Sequence, residues 1–302
     1  MRKTLSAFLT AAVCISFAGC SQTADGTVSV EIDYDTAVVG YLGPEGTYTQ
    51  EACGVFFDKK GTYKPYETVN ATVEALVSGE CGYAVIPQEN TIGGAVIDYV
   101  DTLTAFENIS VVGEVELQID QNLLVLPGTD LDEITTVYSH KQGIAQGKEW
   151  LEQNIPDAEV IEVSSTAEGA KTVAESGVGS CVAIASAACA DVYGLEILAF
   201  GIQNNDSNRT RFYVLSRQDP ATEDNDRLAF IAKGDAEELP KLMSAMEKRN
   251  MTLVTIHDRP LKTELGEYYY VIECANCSYS DLKKIMDKSG FEIRYLGSFD
   301  AR

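Results

Sequence analysis

The sequence predicts an α/β protein: two lobes of strands that run into polar loops and helices, followed by a smaller βαββαβ unit. Three observations carry this. Short apolar runs alternate with segments of helical spacing between residues 37 and 217. Most of these runs end in loops rich in Gly, Ser, Thr or Asn, and open α/β sheets bind ligands at such strand ends. A polar, charged break at 218–227 (QDPATEDNDR) then precedes a second pattern with a different element order.

In order, 37–42 (AVVGYL) reads as a buried strand that enters Gly43-Pro44-Glu45-Gly46-Thr47 and a helix over 48–57. A helix is expected over 69–78, a strand over 83–87, a polar exit loop over 88–94 and a helix over 95–106. Strand-like runs follow in 109–127 and 136–139, the latter opening into His140-Lys141-Gln142-Gly143 and a helix over 144–153. A strand over 158–163 leads to Ser164-Ser165-Thr166, which suits the cap of a helix over 167–176. Residues 182–184 and 197–200 read as strands around a small-residue helix over 185–192, and 212–215 as a strand. Beyond the break come a strand at 228–232, a helix at 236–250, strands at 253–258 and 268–274, a helix at 278–289 and a strand at 291–299. That order is ferredoxin-like.

The chain has 302 residues, 23 basic and 46 acidic, for a net charge of −23. A general basic surface for nucleic acid is therefore not expected. An anionic ligand would need a local positive pocket within an unfavourable global field. Residues 1–20 (MRKTLSAFLTAAVCISFAGC) have a basic start, an apolar run too short for an ordinary membrane span, and small residues at the end. Phe17-Ala18-Gly19-Cys20 resembles a bacterial lipobox, so Cys20 is expected to carry lipid; a plain secretory peptide is the alternative. The chain is then exported and held to a membrane only by that N-terminal anchor, with 21–36 as tether. Besides Cys14 and Cys20 there remain Cys53, Cys81, Cys181, Cys189, Cys274 and Cys277, read as disulfides or as buried free thiols. The CANC stretch lacks a second Cys/His pair, so no metal site is expected.

The stretch 201–215 (GIQNNDSNRTRFYVL) places turn-formers directly before Thr210, Arg211 and Phe212. A polar loop ending in a hydroxyl, a fixed cation and a ring suits binding and protonation of an anionic ring compound. By itself it equally describes a surface turn before a strand.

Taken together, these pieces resemble the prephenate dehydratase family. The matching stretches are GPEGTYTQEA at 43–52, YAVIPQENTIGG at 83–94, Ser139-His140-Lys141-Gln142 with Gln146, and Ser165-Thr166-Ala167. Ala183-Ile184-Ala185-Ser186 with Tyr193-Gly194-Leu195, and Asn208 with Thr210-Arg211-Phe212, complete the set. The resemblance implies two catalytic lobes like those of type II periplasmic binding proteins over 37–217, a linker at 218–227 and an ACT regulatory unit over 228–302. It implies that prephenate loses water and carbon dioxide to give phenylpyruvate, without a cofactor, and arogenate is a conceivable second substrate.

Thr210 corresponds to the family's hydroxyl acid. Thr47, Asn90, Thr91, Ser139, Gln142 and Ser165 are candidates for the substrate's carboxylates and carbonyl, with backbone N–H groups after Gly46 and Ser165 assisting. Arg211 would pair with a carboxylate or brace the loop against Asp206; neighbouring side chains on a strand face opposite ways, which favours bracing. Phe212 would pack on the substrate ring or in the core. His140 and Glu89 read as structural. In the ACT unit, Leu239, Leu242, His257, Asp258, Arg259 and Pro260 stand at the segments associated with phenylalanine, but in altered form: Glu238-Leu239-Pro240 lacks the expected Gly turn, and His257-Asp258 replaces Glu-Ser. Phenylalanine is thus expected to be at most a weak effector, and the unit to pair with a second copy as a homodimer or higher homo-oligomer. The readings from other classes are a solute-binding lipoprotein and an inactive amino-acid sensor on the same fold.

Overall fold

The computed structural model describes residues 32–218, 225–286 and 288–302, with a short backbone pairing of 21–22 against 28–29. The leader with Cys14 and Cys20, part of the tether and most of the linker lie outside the described residues.

The first lobe contains β1 (Val38–Leu42), α1 (Tyr48–Phe56), β2 (Thr62–Tyr66), α2 (Val69–Ser78), β3 (Tyr83–Asn90), α3 (Ile97–Ala105) and β4 (Ser110–Gln118). The second contains β5 (Asn122–Val125), β6 (Thr136–Ser139), α4 (Lys141–Asn154), β7 (Glu159–Glu162), α5 (Thr166–Ser176), β8 (Cys181–Ala185), α6 (Ala187–Tyr193) and β9 (Glu196–Ala199). The chain then returns, and β10 (Arg209–Ser216) inserts between β3 and β4 of the first sheet, whose order is β2-β1-β3-β10-β4. The second sheet runs β7-β6-β8-β5-β9. Two segments, 119–121 and 200–208, therefore join the lobes, and the cleft lies beside them.

Two of the departures from the sequence expectation bear on the first sheet. β2 (TYKPY) has no apolar alternation and contains Pro65. It forms because it is an edge strand, where a missing N–H is tolerated. β3 does not stop at Pro87 but continues through Asn90, because β10 pairs with it as far as Thr210↔Asn90. A bulge between Arg211 and Phe212 in this pairing leaves Gln88 unopposed; bulges beside active sites re-aim side chains.

The third unit is β11 (Arg227–Asp235), α7 (Leu239–Glu247), β12 (Thr252–Pro260), β13 (Glu267–Ala275), α8 (Tyr279–Met286) and β14 (Glu292–Phe299). Its antiparallel sheet has the order β12-β13-β11-β14. One sheet face carries both helices over Leu228, Phe230, Leu242, Met246, Leu282 and Ile285. Its other face shares a core with the first lobe: Ala229, Ile231, Val271, Leu296 and Phe299 pack with Tyr99, Val111, Tyr213 and Leu215. Gly297 has φ +154°, and a Cβ there would stand 2.0 Å from the carbonyl oxygen of Val111, so no larger residue fits where β14 crosses β4. The end of the chain extends the first sheet, the Arg302 N–H donating to the Glu114 carbonyl at 3.0 Å and the Glu116 N–H to that of Arg302 at 2.9 Å. Far from hanging on a tether, this unit is built onto the first lobe.

Candidate active site

Three helices begin at the cleft. Thr47 caps α1, its hydroxyl accepting from the Gln50 N–H at 3.4 Å and donating to the Leu42 carbonyl at 3.1 Å. His140 caps α4, its Nδ1 accepting from the Gln142 N–H at 3.3 Å. Ser165 caps α5, accepting from the Glu168 N–H at 3.0 Å. Each cap uses one donor and leaves other first-turn N–H groups without a partner inside the helix. The starts of α4 and α5 approach closely: a Cβ at Gly143 would sit 2.5 Å from Ser139 Oγ and 3.1 Å from Thr166 Cγ2.

Between these helix ends is a cavity of about 250 Å³, lined among others by Leu42, Tyr48, Ile119, Gln121, Gln142, Gln146, Asn208 and Thr210. Among the described residues, none that lines it is Lys, Arg, Asp or Glu. Negative charge in this cleft is therefore met by helix ends and neutral donors, each helix end being worth about 0.3–1 kcal/mol and ~2 kcal/mol when partly buried. This supplies the local positive potential that the chain's acidic composition does not.

Asn90 organises the reacting side. Its Oδ1 accepts from the N–H groups of Ile92 (2.9 Å) and Gly93 (2.8 Å), which fixes the amide orientation. Its Nδ2 then donates to Thr210 Oγ1 at 2.9 Å and to Asn208 Oδ1 at 2.7 Å. Two consequences follow. Thr210 accepts from Asn90, so its own proton is free to be donated into the cleft. Asn208 is 1% exposed and its Nδ2 has no protein partner, a buried donor lining the cavity. Opposite, the Gln121 Nε2 donates to Gln146 Oε1 at 2.9 Å. The sequence motifs contained Asn208 and Gln146 but did not show that either reaches the cleft. Gln121 and Tyr48 carried no signal beyond their place at a lobe crossing and a helix start.

The loop before α1 touches the second lobe, and α1 touches the crossover at 119–121. Ser186 Oγ donates to the Gly46 carbonyl at 2.8 Å, Tyr193 OH to that of Glu45 at 2.8 Å, and Tyr48 OH to that of Asp120 at 2.6 Å.

Several expected site residues do other work. Ser139 is fully buried and donates to the Ile184 carbonyl at 2.7 Å, tying β6 to β8 rather than facing a ligand. Thr91 accepts from the Arg209 N–H at 3.0 Å and donates to the Ser207 carbonyl at 3.0 Å, so it secures the loop before β10. Phe212 is 1% exposed and packs with Val39, Tyr41, Phe56 and Val115, which settles it as core. Leu242 and Leu239 lie on the apolar face of α7 against the third sheet.

Arg211 turns away from the cleft, as strand alternation requires. Its partners are neither a substrate position nor Asp206. It meets Glu114 at 2.5 and 3.2 Å, Glu273 of the third unit at 2.6 Å and Glu89 at 3.7 Å. Glu273 is fully buried and also accepts from Tyr213 OH at 2.8 Å and Gln88 Nε2 at 3.4 Å. Nearby, His257 Nδ1 is hydrogen-bonded to Tyr99 OH, and Arg259 holds Asp101 at 2.5 and 2.8 Å. His257 and Arg259 thus dock the third unit on α3. Burial is the main reason the His257 pKa is lowered, which keeps its ring neutral at pH 7.

Burial, reinforced by the charge of Glu273 and opposed by Arg211, raises Glu114 from 4.5 to about 7. Between these values the folded chain holds a proton that the unfolded chain has released. Raising the pH through that window therefore favours unfolding, by at most ~3 kcal/mol from this group. Melting curves of wild type and Glu114→Gln between pH 4.5 and 8 check this. Wild-type stability should fall relative to the variant up to about pH 7 and run parallel above it.

The fold and cleft define a two-lobed α/β protein with a small cavity between helix starts, lined by neutral polar side chains beside the Thr210 hydroxyl. Residues 39–220 match the family model described as prephenate dehydratase, and the chain belongs to that family. The prephenate dehydratase of Bacillus subtilis (strain 168) is 31% identical over 281 residues, covering 87% of this chain and 98% of that one. The bifunctional chorismate mutase/prephenate dehydratase of Stutzerimonas stutzeri is 33% identical over 267 residues, covering 86% and 72%. Among solved structures, the prephenate dehydratase of Arthrobacter aurescens in complex with L-Phe superposes with a TM-score of 0.79 at 27% identity, over 88% of this chain and 90% of that one.

Proposed function

We propose that the chain converts prephenate to phenylpyruvate. The observation that carries this is the hydrogen bond from Asn90 to Thr210, whose hydroxyl borders a cavity with no charged lining residue among the described residues. The C1–carboxylate bond breaks, carbon dioxide leaves, and the electron pair enters the ring. Aromatisation expels the 4-hydroxyl, which takes up one proton, supplied by solvent through the Thr210 hydroxyl, and departs as water. Thr210 donates a hydrogen bond to that oxygen while Asn90 supports its own oxygen from behind. Asn208 Nδ2 and the starts of α1, α4 and α5 hold the carboxylates and the carbonyl. Hydrogen-bond donation of this kind contributes about 10²–10⁴-fold, and fixed dipoles in an enclosed site add a comparable share. No step needs a cofactor. Family membership favours this reading over a solute-binding or sensing protein, in which the Asn90–Thr210 pair would have no task.

The third unit is proposed to be an ACT-like regulatory unit with weak or absent response to phenylalanine. Pro240 stands in the first turn of α7 without an N–H, and His257 and Arg259 are engaged by Tyr99 and Asp101. Phenylalanine titrated into a dehydratase assay should inhibit little below millimolar concentration, with sedimentation showing at least a dimer. Strong submillimolar inhibition, or a monomer, would count against the respective half of this reading. Lipidation at Cys20 and export are proposed from the leader, and metabolic labelling with a fatty acid tests them.

A further inference from the structure

Cys274 and Cys277 take no part in the dehydratase site, and they lie together. Cys274, at the end of β13, is fully buried; Cys277, three residues on, is partly exposed, and the two sulfurs are 3.2 Å apart. The turn between them is fixed on both sides. Asn276 has φ +55° and its amide donates to Thr252 Oγ1 at 3.1 Å. Ser278 and Asp281 cap the start of α8 reciprocally: the Asp281 N–H donates to Ser278 Oγ at 3.3 Å, and the Ser278 N–H to Asp281 Oδ2 at 3.2 Å. Among the described residues, no group of three or more His, Cys, Asp or Glu stands ready for a metal.

We infer that Cys274 and Cys277 form a dithiol–disulfide site that takes a small disulfide as oxidant. The contact with Cys274 lowers the pKa of Cys277, and the same contact, reinforced by burial, raises that of Cys274. This gives the two sulfurs different roles. The accessible Cys277 thiolate attacks one sulfur of an external disulfide, forming a mixed disulfide and releasing one external thiolate. Cys274 then loses its proton and attacks the Cys277 sulfur, releasing the second external thiolate. Two protein thiols are oxidised and one external disulfide is reduced. The product joins the end of β13 to the start of α8 through two intervening residues. In an oxidising compartment the pair rests as the disulfide. This does not depend on the dehydratase reading.

The test equilibrates the full chain with oxidised glutathione, quenches in acid, unfolds, alkylates and maps the peptides by mass spectrometry. The expected result is a peptide spanning both cysteines that carries no alkyl group, while Cys53, Cys81 and Cys189 are alkylated. In Cys274→Ser, glutathione should accumulate on Cys277 at least tenfold faster than on Cys181, the other partly exposed thiol among the described residues. In Cys277→Ser, Cys274 should remain free. Full alkylation of both cysteines in the oxidised wild type, a disulfide to any other cysteine, or equal reactivity of Cys277 and Cys181 would overturn the inference. The wild-type map decides the question even if a variant does not fold.

Discussion

Thr210→Ala should lower kcat for prephenate at least tenfold, and up to the ~10²–10⁴-fold that a lost acid commonly costs, with KM nearly unchanged. The hydroxyl is needed as the 4-oxygen leaves, so its removal falls on the chemical step. Asn90 would lose one acceptor but keep Asn208 and its two backbone donors, so the site's framework should persist. Thr210→Ser should retain most activity, since the Asn90 contact needs only the hydroxyl oxygen. Steady-state kinetics with circular dichroism as the folding control decide this. A folded Thr210→Ala variant with wild-type kcat would remove Thr210 from the mechanism.

Glu273→Ala should destabilise the chain by ~3–5 kcal/mol, the usual cost of stripping one partner from a buried ion pair. Tyr213 and Gln88 lose this acceptor, and Arg211 and Arg227 each lose an ion-pair partner, Arg211 keeping Glu114. Tyr213 is fully buried and has no water to turn to. Glu273→Gln should cost less, because its carbonyl oxygen still accepts from one of them. Urea unfolding of the three proteins tests this. A loss below ~1 kcal/mol for Glu273→Ala would mean that the cluster does not hold the third unit to the first lobe.

This cluster also shows where sequence reasoning stops. Alternation along β10 separated Arg211 from Thr210 by face, because period two is local. It could not find Glu114 and Glu273, which folding brings from distant strands. Asn90 and Thr210 were legible as candidates from their motifs, but their pairing depends on β3 running on past Pro87 and on the bulge at Gln88. The Ser165 cap was visible because a cap is a local pattern. Ser139 looked identical in kind, yet its hydroxyl is taken by Ile184 on a neighbouring strand. β2 was invisible because Pro65 and the lack of alternation are tolerated only at a sheet edge, and edges are a property of the whole sheet. The element order of the third unit was readable from periodicity. That its outer face shares a core with the first lobe was not, since apolar residues on both faces of a strand do not say what covers them.

Turnover of prephenate by the purified protein, followed as phenylpyruvate formation, decides whether this cleft is catalytic. Phenylpyruvate should form saturably with stoichiometric carbon dioxide, without added metal or cofactor, and its formation should be abolished or strongly reduced in Thr210→Ala. Tight binding of prephenate with no phenylpyruvate formed above the uncatalysed rate would contradict this, and would make this cleft a binding site.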